Sequence, residues 1–159
     1  MRRRYGVCAV VAVAAMALIG WMGLAVASVG GVTHPTTIKL VAKVTAFGND
    51  VANPNSNNST ASSYALSGSL WNASQTHRVG RFDVACTSTS PKGAFALCDA
   101  TFTLRGRGEI STSGVSPQSG APDTDPITGG DGAFRNVRGQ ADIGKSSGTT
   151  INIMLELQP

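Results

Sequence analysis

Between Pro126 and Gln140 the chain reads PITGGDGAFRNVRGQ, with four glycines and one proline framing a single phenylalanine and two arginines. Glycine is a poor helix former and proline stops a helix outright. A strand must therefore end at Gly129-Gly130, turn, and restart near Arg138. The rest of the sequence is punctuated in the same way. Ile38, Leu40, Ala42, Val44 and Ala46 alternate with Lys39, Lys43 and Thr45, the period of a half-buried strand spanning Thr36 to Gly48. Further strands are expected at Tyr64–Trp71, Val79–Thr87, Ala94–Leu104, Gly108–Val115 and Ala141–Lys145. A last one, with Ile151, Ile153, Leu155 and Leu157 in phase, closes the chain. Polar, Pro- and Gly-rich stretches at 53–60 and 116–125 read as loops. About eight short strands with frequent turns and no helical period point to an all-β sandwich or closed barrel. Patterning leaves both open, although closure removes the exposed edges of a small sheet.

The N-terminus follows a different pattern. Arg2, Arg3 and Arg4 precede an uncharged apolar run from Tyr5 to Val29, and Ala25-Val26-Ala27 supplies a small-residue cleavage site. Residues 1–27 read as a signal peptide, 28–35 as a linker and 36–159 as the folded domain. The alternative is an uncleaved membrane anchor, since the run is long enough to span a bilayer. Cys8 lies within this run as an incidental apolar residue. The full chain has 13 Lys+Arg and 9 Asp+Glu. Removing the three leader arginines leaves 10 − 9 = +1, so the basic pI belongs to the leader and gives no reason to expect nucleic-acid binding. A secreted protein with no membrane contact after cleavage is expected.

Two cysteines remain, Cys86 and Cys98, in a protein bound for an oxidising compartment. They bracket Pro91-Lys92-Gly93, a composition that suits a three-residue hairpin loop. That loop makes paired residues sum to 184, and 86 + 98 = 184. The cysteines then lie directly opposite one another, within disulfide reach. A metal pair would need a second Cys or His pair, which is missing.

The glycine segment resembles the late ITGG-G-F---RG or VVGG-G-F---RG pattern of the allene oxide cyclase and dirigent barrels. Ser67-Gly68-Ser69-Leu70-Trp71-Asn72 followed by Val79-Gly80-Arg81 is similar to the family's second strand and the start of its third. Cys86, then Cys98-Asp99-Ala100-Thr101-Phe102-Thr103-Leu104, resembles a hairpin of secreted bacterial members, and Thr149–Leu157 resembles the last strand. The resemblance covers roughly residues 62–157. It implies an eight-stranded antiparallel β-barrel and a homo-oligomer, dimer or trimer. Cyclases of this group use an acid on the first strand, whereas Thr36 to Gly48 holds none and Asp50 falls just beyond, in expected loop. Arg138 matches the arginine of the family's RG step.

Candidate ligand-binding residues follow. Arg138 offers a fixed fork of donors to a polar ligand, or else ties the glycine loop to backbone carbonyls. Arg81 and Asp83 share one strand face, and Asp99, Thr101 and Thr103 share another. These line a lumen if that face points inward, and are ordinary surface charges if it points outward. Asp123, Asp125 and Asp131 fit no calcium loop and are assigned to surface loop. Gly130-Asp131-Gly132 lacks the third glycine and helix of a nucleotide turn. His34 and His77 have no neighbouring nucleophile. Asn57, Asn58 and Asn72 begin sequons that matter only in a eukaryotic secretory route. No cofactor, metal or catalytic residue is assigned. The expected function is a secreted barrel that binds a small, largely apolar ligand and steers its stereochemistry. Two alternatives are an isomerase or cyclase acting through a buried acid, and a non-catalytic envelope protein. A roomy lumen with buried acids would favour the isomerase, and a lumen filled by side chains the envelope protein.

Overall fold

A computed structural model describes residues 34–50, 62–90 and 94–159. The proposed leader and the hairpin turn at Pro91-Lys92-Gly93 lie outside the described residues, as do Asn57 and Asn58. The strands are β1 (Thr36–Asp50), β2 (Ser63–Asn72), β3 (Arg78–Ser88), β4 (Phe95–Leu104), β5 (Gly108–Pro117), β6 (Asp123–Gly130), β7 (Arg138–Ile143) and β8 (Thr150–Gln158). All neighbours are antiparallel, and β8 returns to β1 to close an eight-stranded barrel. One 3-10 turn, Gly132–Phe134, lies inside the glycine-rich segment.

Strand alternation divides the side chains cleanly. In β3 and β4, Phe82, Val84, Cys86, Cys98, Ala100, Phe102 and Leu104 face inward. In β8, Ile153, Leu155 and Leu157 do the same and are almost fully buried. The β3–β4 ladder runs from Gly80↔Leu104 to Ser88↔Ala96 with every pair summing to 184, the register that the turn composition demanded. Cys86 and Cys98 form a disulfide within that ladder, their Cα atoms 4.1 Å apart.

Several strand boundaries differ from the expectation, and three of these differences bear on the site. β1 continues to Asp50, which pairs with Ser63 and is not in a loop. A β-bulge between Val44 and Ala46 also breaks the β1 period. The extra residue reverses the inward phase, so Phe47, and not Ala46, turns toward the barrel interior and lines its mouth. The loop expected over 116–125 is shorter, because β5 runs to Pro117 and β6 begins at Asp123, which pairs with Ile143 of β7. Asp123, Asp125 and Ile127 therefore share one face of β6. The earlier placement of Asp123 and Asp125 in surface loop is corrected accordingly.

The interior is packed unevenly along the barrel axis. At one end Leu70, Leu104, Ile110, Phe134, Leu155 and Leu157 fill the section. Phe134 arrives from the glycine segment, is completely buried, and carries the Arg107 guanidinium 4.8 Å from its ring centre. Asp131 holds that segment in place, its Oδ1 accepting the Glu109 N–H at 2.7 Å. Midway, Phe82 and Phe102 stand opposite each other across the β3–β4 ladder, both buried. Gly68 beside them has no room for a Cβ, which would meet the Phe82 ring and the Lys43 carbonyl. Beyond this ring pair the inward residues are smaller, and the barrel is hollow.

The disulfide closes a loop with a sequence separation of 12, and constraining a loop of this size in the unfolded chain contributes about 3 kcal/mol. A Cys86→Ala/Cys98→Ala double variant is expected to keep the barrel and lower stability by about that amount, read from urea midpoints. An unchanged midpoint would contradict this.

Candidate functional site

The hollow half of the barrel is a cavity of about 500 Å³. Its walls are Ala42, Val44, Leu66, Val84, Ala100, Ile143, Ile151 and Ile153, and Phe82 and Phe102 form the floor. The mouth is ringed by Phe47 and Tyr64, whose ring centres lie 6.0 Å apart, and by the segments around Pro117, Gly120, Ser146 and Gly148. Such a cavity falls within the size range of small-molecule sites, mostly apolar with a few polar groups.

Three of the groups that line it fall on a single row, with Asp123 two residues away on the same face of β6. Tyr64 pairs with Cys86, Cys86 with Cys98, and Cys98 with Gly114. Asp125 of β6 then lies against Gly114. A Cβ at position 114 would collide with the Asp125 carboxyl, so the missing side chain of Gly114 is the notch that holds it. Asp125 continues the row to Ala141 of β7. One band of an otherwise apolar lumen therefore carries a phenol, a disulfide and a carboxyl.

Asp125 is only 5% exposed, and its Oδ1 is buried without a hydrogen-bond partner among the described residues. Burial pushes its carboxyl above the usual aspartate range, and the neighbouring Asp123 carboxylate pushes in the same direction. Asp123 Oδ2 and Thr112 Oγ1 are likewise buried and unpartnered. Burial also raises the Tyr64 phenol above its ordinary value, which keeps it neutral. Its only hydrogen-bond contact among the described residues is a weak one to Cys98 Sγ at 3.8 Å. Unsatisfied buried polar atoms cost about 1–3 kcal/mol each. Asp123 and Asp125 line the cavity and Thr112 stands beside them on β5, which makes this the candidate functional site.

The residues singled out from sequence lie elsewhere. Arg81 and Asp83 are on the outer face of β3, 62% and 42% exposed, where Arg81 Nε and Nη2 both donate to Asp83 Oδ2, the Nη2 contact at 2.6 Å. Asp99 is exposed on the outer face of β4 and pairs with Ala85 and Ser113. Arg138 is exposed at the start of β7, opposite Gln158, at the packed end of the barrel. None of the four reaches the cavity. Their inward neighbours Phe82, Ala100 and Phe102 occupy the interior instead. The signal that would have found Asp125 was its phase: with Asp123 it alternates in step with Ile127, ahead of the glycine turn.

Because the folded-state pKa of Asp125 exceeds the ordinary 3.8, the folded protein holds its proton longer than the unfolded chain does. The stability tied to this proton is fully present below the unfolded pKa and is lost as pH rises through the folded one. Asp125→Asn is therefore expected to be more stable than the natural chain at neutral pH, with the difference closing as pH falls below the ordinary aspartate range. Paired urea titrations across pH check this. A gap that widens on acidification would contradict it.

No protein-family model and no curated protein matches the sequence. Solved structures do. A pyocyanin demethylase aligns with a TM-score of 0.69 at 24% identity, covering 77% of this chain and 100% of that one. The pterocarpan synthase dirigent protein PsPTS1 aligns with a TM-score of 0.60 at 21% identity, over 79% of this chain and 95% of its own. The Diels–Alderase AbmU from Streptomyces koyangensis aligns at 0.64 and 14% identity, over 78% and 63%. At these identities the likeness concerns the fold. By the closure of its eight strands and by these neighbours, the chain has the eight-stranded barrel fold that the dirigent proteins also have.

Proposed function

We propose that this protein binds a small, largely apolar molecule in the hollow half of its barrel and steers the conformation in which that molecule reacts. The observation that carries this reading is the cavity of about 500 Å³ with apolar walls and one deeply buried, unpartnered carboxyl, Asp125. The apolar body of the ligand would displace water from Val84, Ala100, Ile151 and Ile153, and its polar end would meet Asp123 and Asp125. Holding a flexible molecule in one conformation and excluding water is itself a catalytic contribution. An unfilled lumen weighs against a purely structural envelope role.

A second reading has its own support. A carboxyl whose pKa is raised by burial is suited to general-acid work, which suits an isomerase or cyclase that needs no cofactor. Asp125 would then give its proton to an oxygen of the substrate and recover it after rearrangement. The candidates on the outer face, Arg81, Asp83, Asp99 and Arg138, have no part in either reading. The buried disulfide supports residence in an oxidising, extracytoplasmic compartment. Leu97 and Val115, paired on neighbouring strands and exposed on the outer face, suit a homo-oligomer contact.

Uptake of an uncharged fluorophore, N-phenylnaphthylamine, tests the binding reading. Its fluorescence is expected to rise on saturable binding to one site per barrel. Val84→Trp and Ile151→Trp, two separate substitutions that fill the cavity, should each weaken uptake by about tenfold or more. Failure of the natural protein to take up the probe, or equal uptake by both filled variants, would sink the proposal.

A further inference from the structure

The lumen has acids but no bases. Its lining includes Asp123 and Asp125 and, among the described residues, no lysine, arginine or histidine. The one ion pair among the described residues, Arg81–Asp83, is on the outside. Lys145, in the β7–β8 connection near the mouth, makes no ion pair with either acid. Two carboxyl groups thus stand two residues apart on one face of β6, in an apolar chamber, without a counter-ion.

The unpartnered atoms in this region are oxygens. Asp125 Oδ1, Asp123 Oδ2 and Thr112 Oγ1 are each buried without a hydrogen-bond partner among the described residues. Asp125 and Thr112 are 5% and 2% exposed. Thr112 pairs with Ile127, two residues along β6 from Asp125 on the same face, which makes it the carboxyl's diagonal neighbour. Asp123 Oδ1 already accepts the Thr124 N–H at 2.9 Å, so its free oxygen is the one left for a ligand. The chamber as built therefore offers two carboxyl groups with unpartnered oxygens and, among the described residues, no positive charge; its hydroxyls, such as that of Tyr64, can donate or accept.

We propose that the lumen selects apolar molecules bearing a single cationic head, a protonated amine or nitrogen heterocycle, which sits against Asp123 and Asp125. This rests on the lumen-binding reading above and names the class of ligand that site takes. An ammonium group has up to three donors and no acceptor, the complement of two unpartnered carboxyl oxygens. Its charge supplies the missing counter-ion, and charge-assisted hydrogen bonds to carboxylate are about twice as strong as neutral ones. A carboxylate or phosphate head would meet two like charges in a low-dielectric chamber with nothing to pair it. Burial and the neighbouring Asp123 disfavour the ionised form of Asp125, and a cationic head beside it offsets that cost. The apolar walls hold the remainder of the molecule, so a small hydrophilic cation gains little.

The test uses three competitors with one body and different heads: naphthylmethylamine, naphthylmethanol and naphthylacetate. Each displaces N-phenylnaphthylamine from the purified protein at neutral pH. The expected order is amine, alcohol, carboxylate, with about tenfold or more between the first and last. In Asp125→Asn, and separately in Asp123→Asn, the ratio of amine to alcohol affinity should fall toward one. Equal displacement by all three, a preference for the carboxylate, or an amine preference that survives both substitutions would overturn the charge selectivity while leaving lumen binding intact. Absence of any fluorophore uptake by the natural protein would overturn both.

Discussion

The ladder between β1 and β8 is the constraint on which the rest depends. Eight pairs, from Thr36↔Leu157 to Lys43↔Thr150, join the two ends of the sheet. Without them two edges of unpaired backbone would face solvent, and the inward faces of all eight strands would have nothing to enclose. With them, every strand has a fixed inside and outside, and the inside acquires a volume that side chains must fill or leave empty. Because the strands are staggered, a row that leaves β1 at Asn49 passes through Tyr64, Cys86, Cys98 and Gly114, continues past Asp125, Ala141 and Leu155, and comes back to β1 at Ile38. That stagger tilts the strands and widens the barrel, and the row, spiralling along the barrel, brings groups distant in sequence side by side.

Side-chain size then decides where the barrel is solid. Phenylalanine and leucine crowd the end closed by the glycine segment, and alanine, valine and isoleucine line the other. The glycine segment matters here less for its turns than for what it delivers. Gly129, Gly130 and Gly132 let the chain fold back over the β4–β5 connection so that Phe134 can enter the core. A barrel plugged at one end with a floor of Phe82 and Phe102 is, among the described residues, a cup open at the other end. The buried acid lies in the hollow part, where it is dry enough to be perturbed and open enough to be met by a ligand.

Much of the architecture was legible in the residues. The period of two in β1 and β8, the turn-set register of β3 and β4, and the opposed cysteines all follow from local chemistry, and the resemblance in the glycine segment supplied the closed barrel. The inward face was not legible. Phe82 and Phe102 lie on one face, Arg81, Asp83 and Asp99 on the other, and a small barrel that buries its outer face in an oligomer has the same pattern as one that buries its inner face. Asp125 was missed for a related reason. Two of the three inward residues of β6 are acids, so its hydrophobic alternation is inverted and the segment looks like a polar loop. The compensating feature, a glycine on the adjacent strand that makes room for the carboxyl, depends on a pairing between strands that no local pattern reveals. Phe47 was displaced by a bulge, a one-residue insertion that the alternation of β1 conceals.

The disulfide has a consequence that follows from its side of the sheet. Cys86 and Cys98 point into the cavity, and both are almost fully buried. Among the described residues the sulfurs are approached from the cavity, so a reductant would pass through the space that a molecule in the chamber would fill. Occupancy of the chamber and cleavage of the bridge thus compete for the same doorway, and a loaded barrel is a chemically protected one.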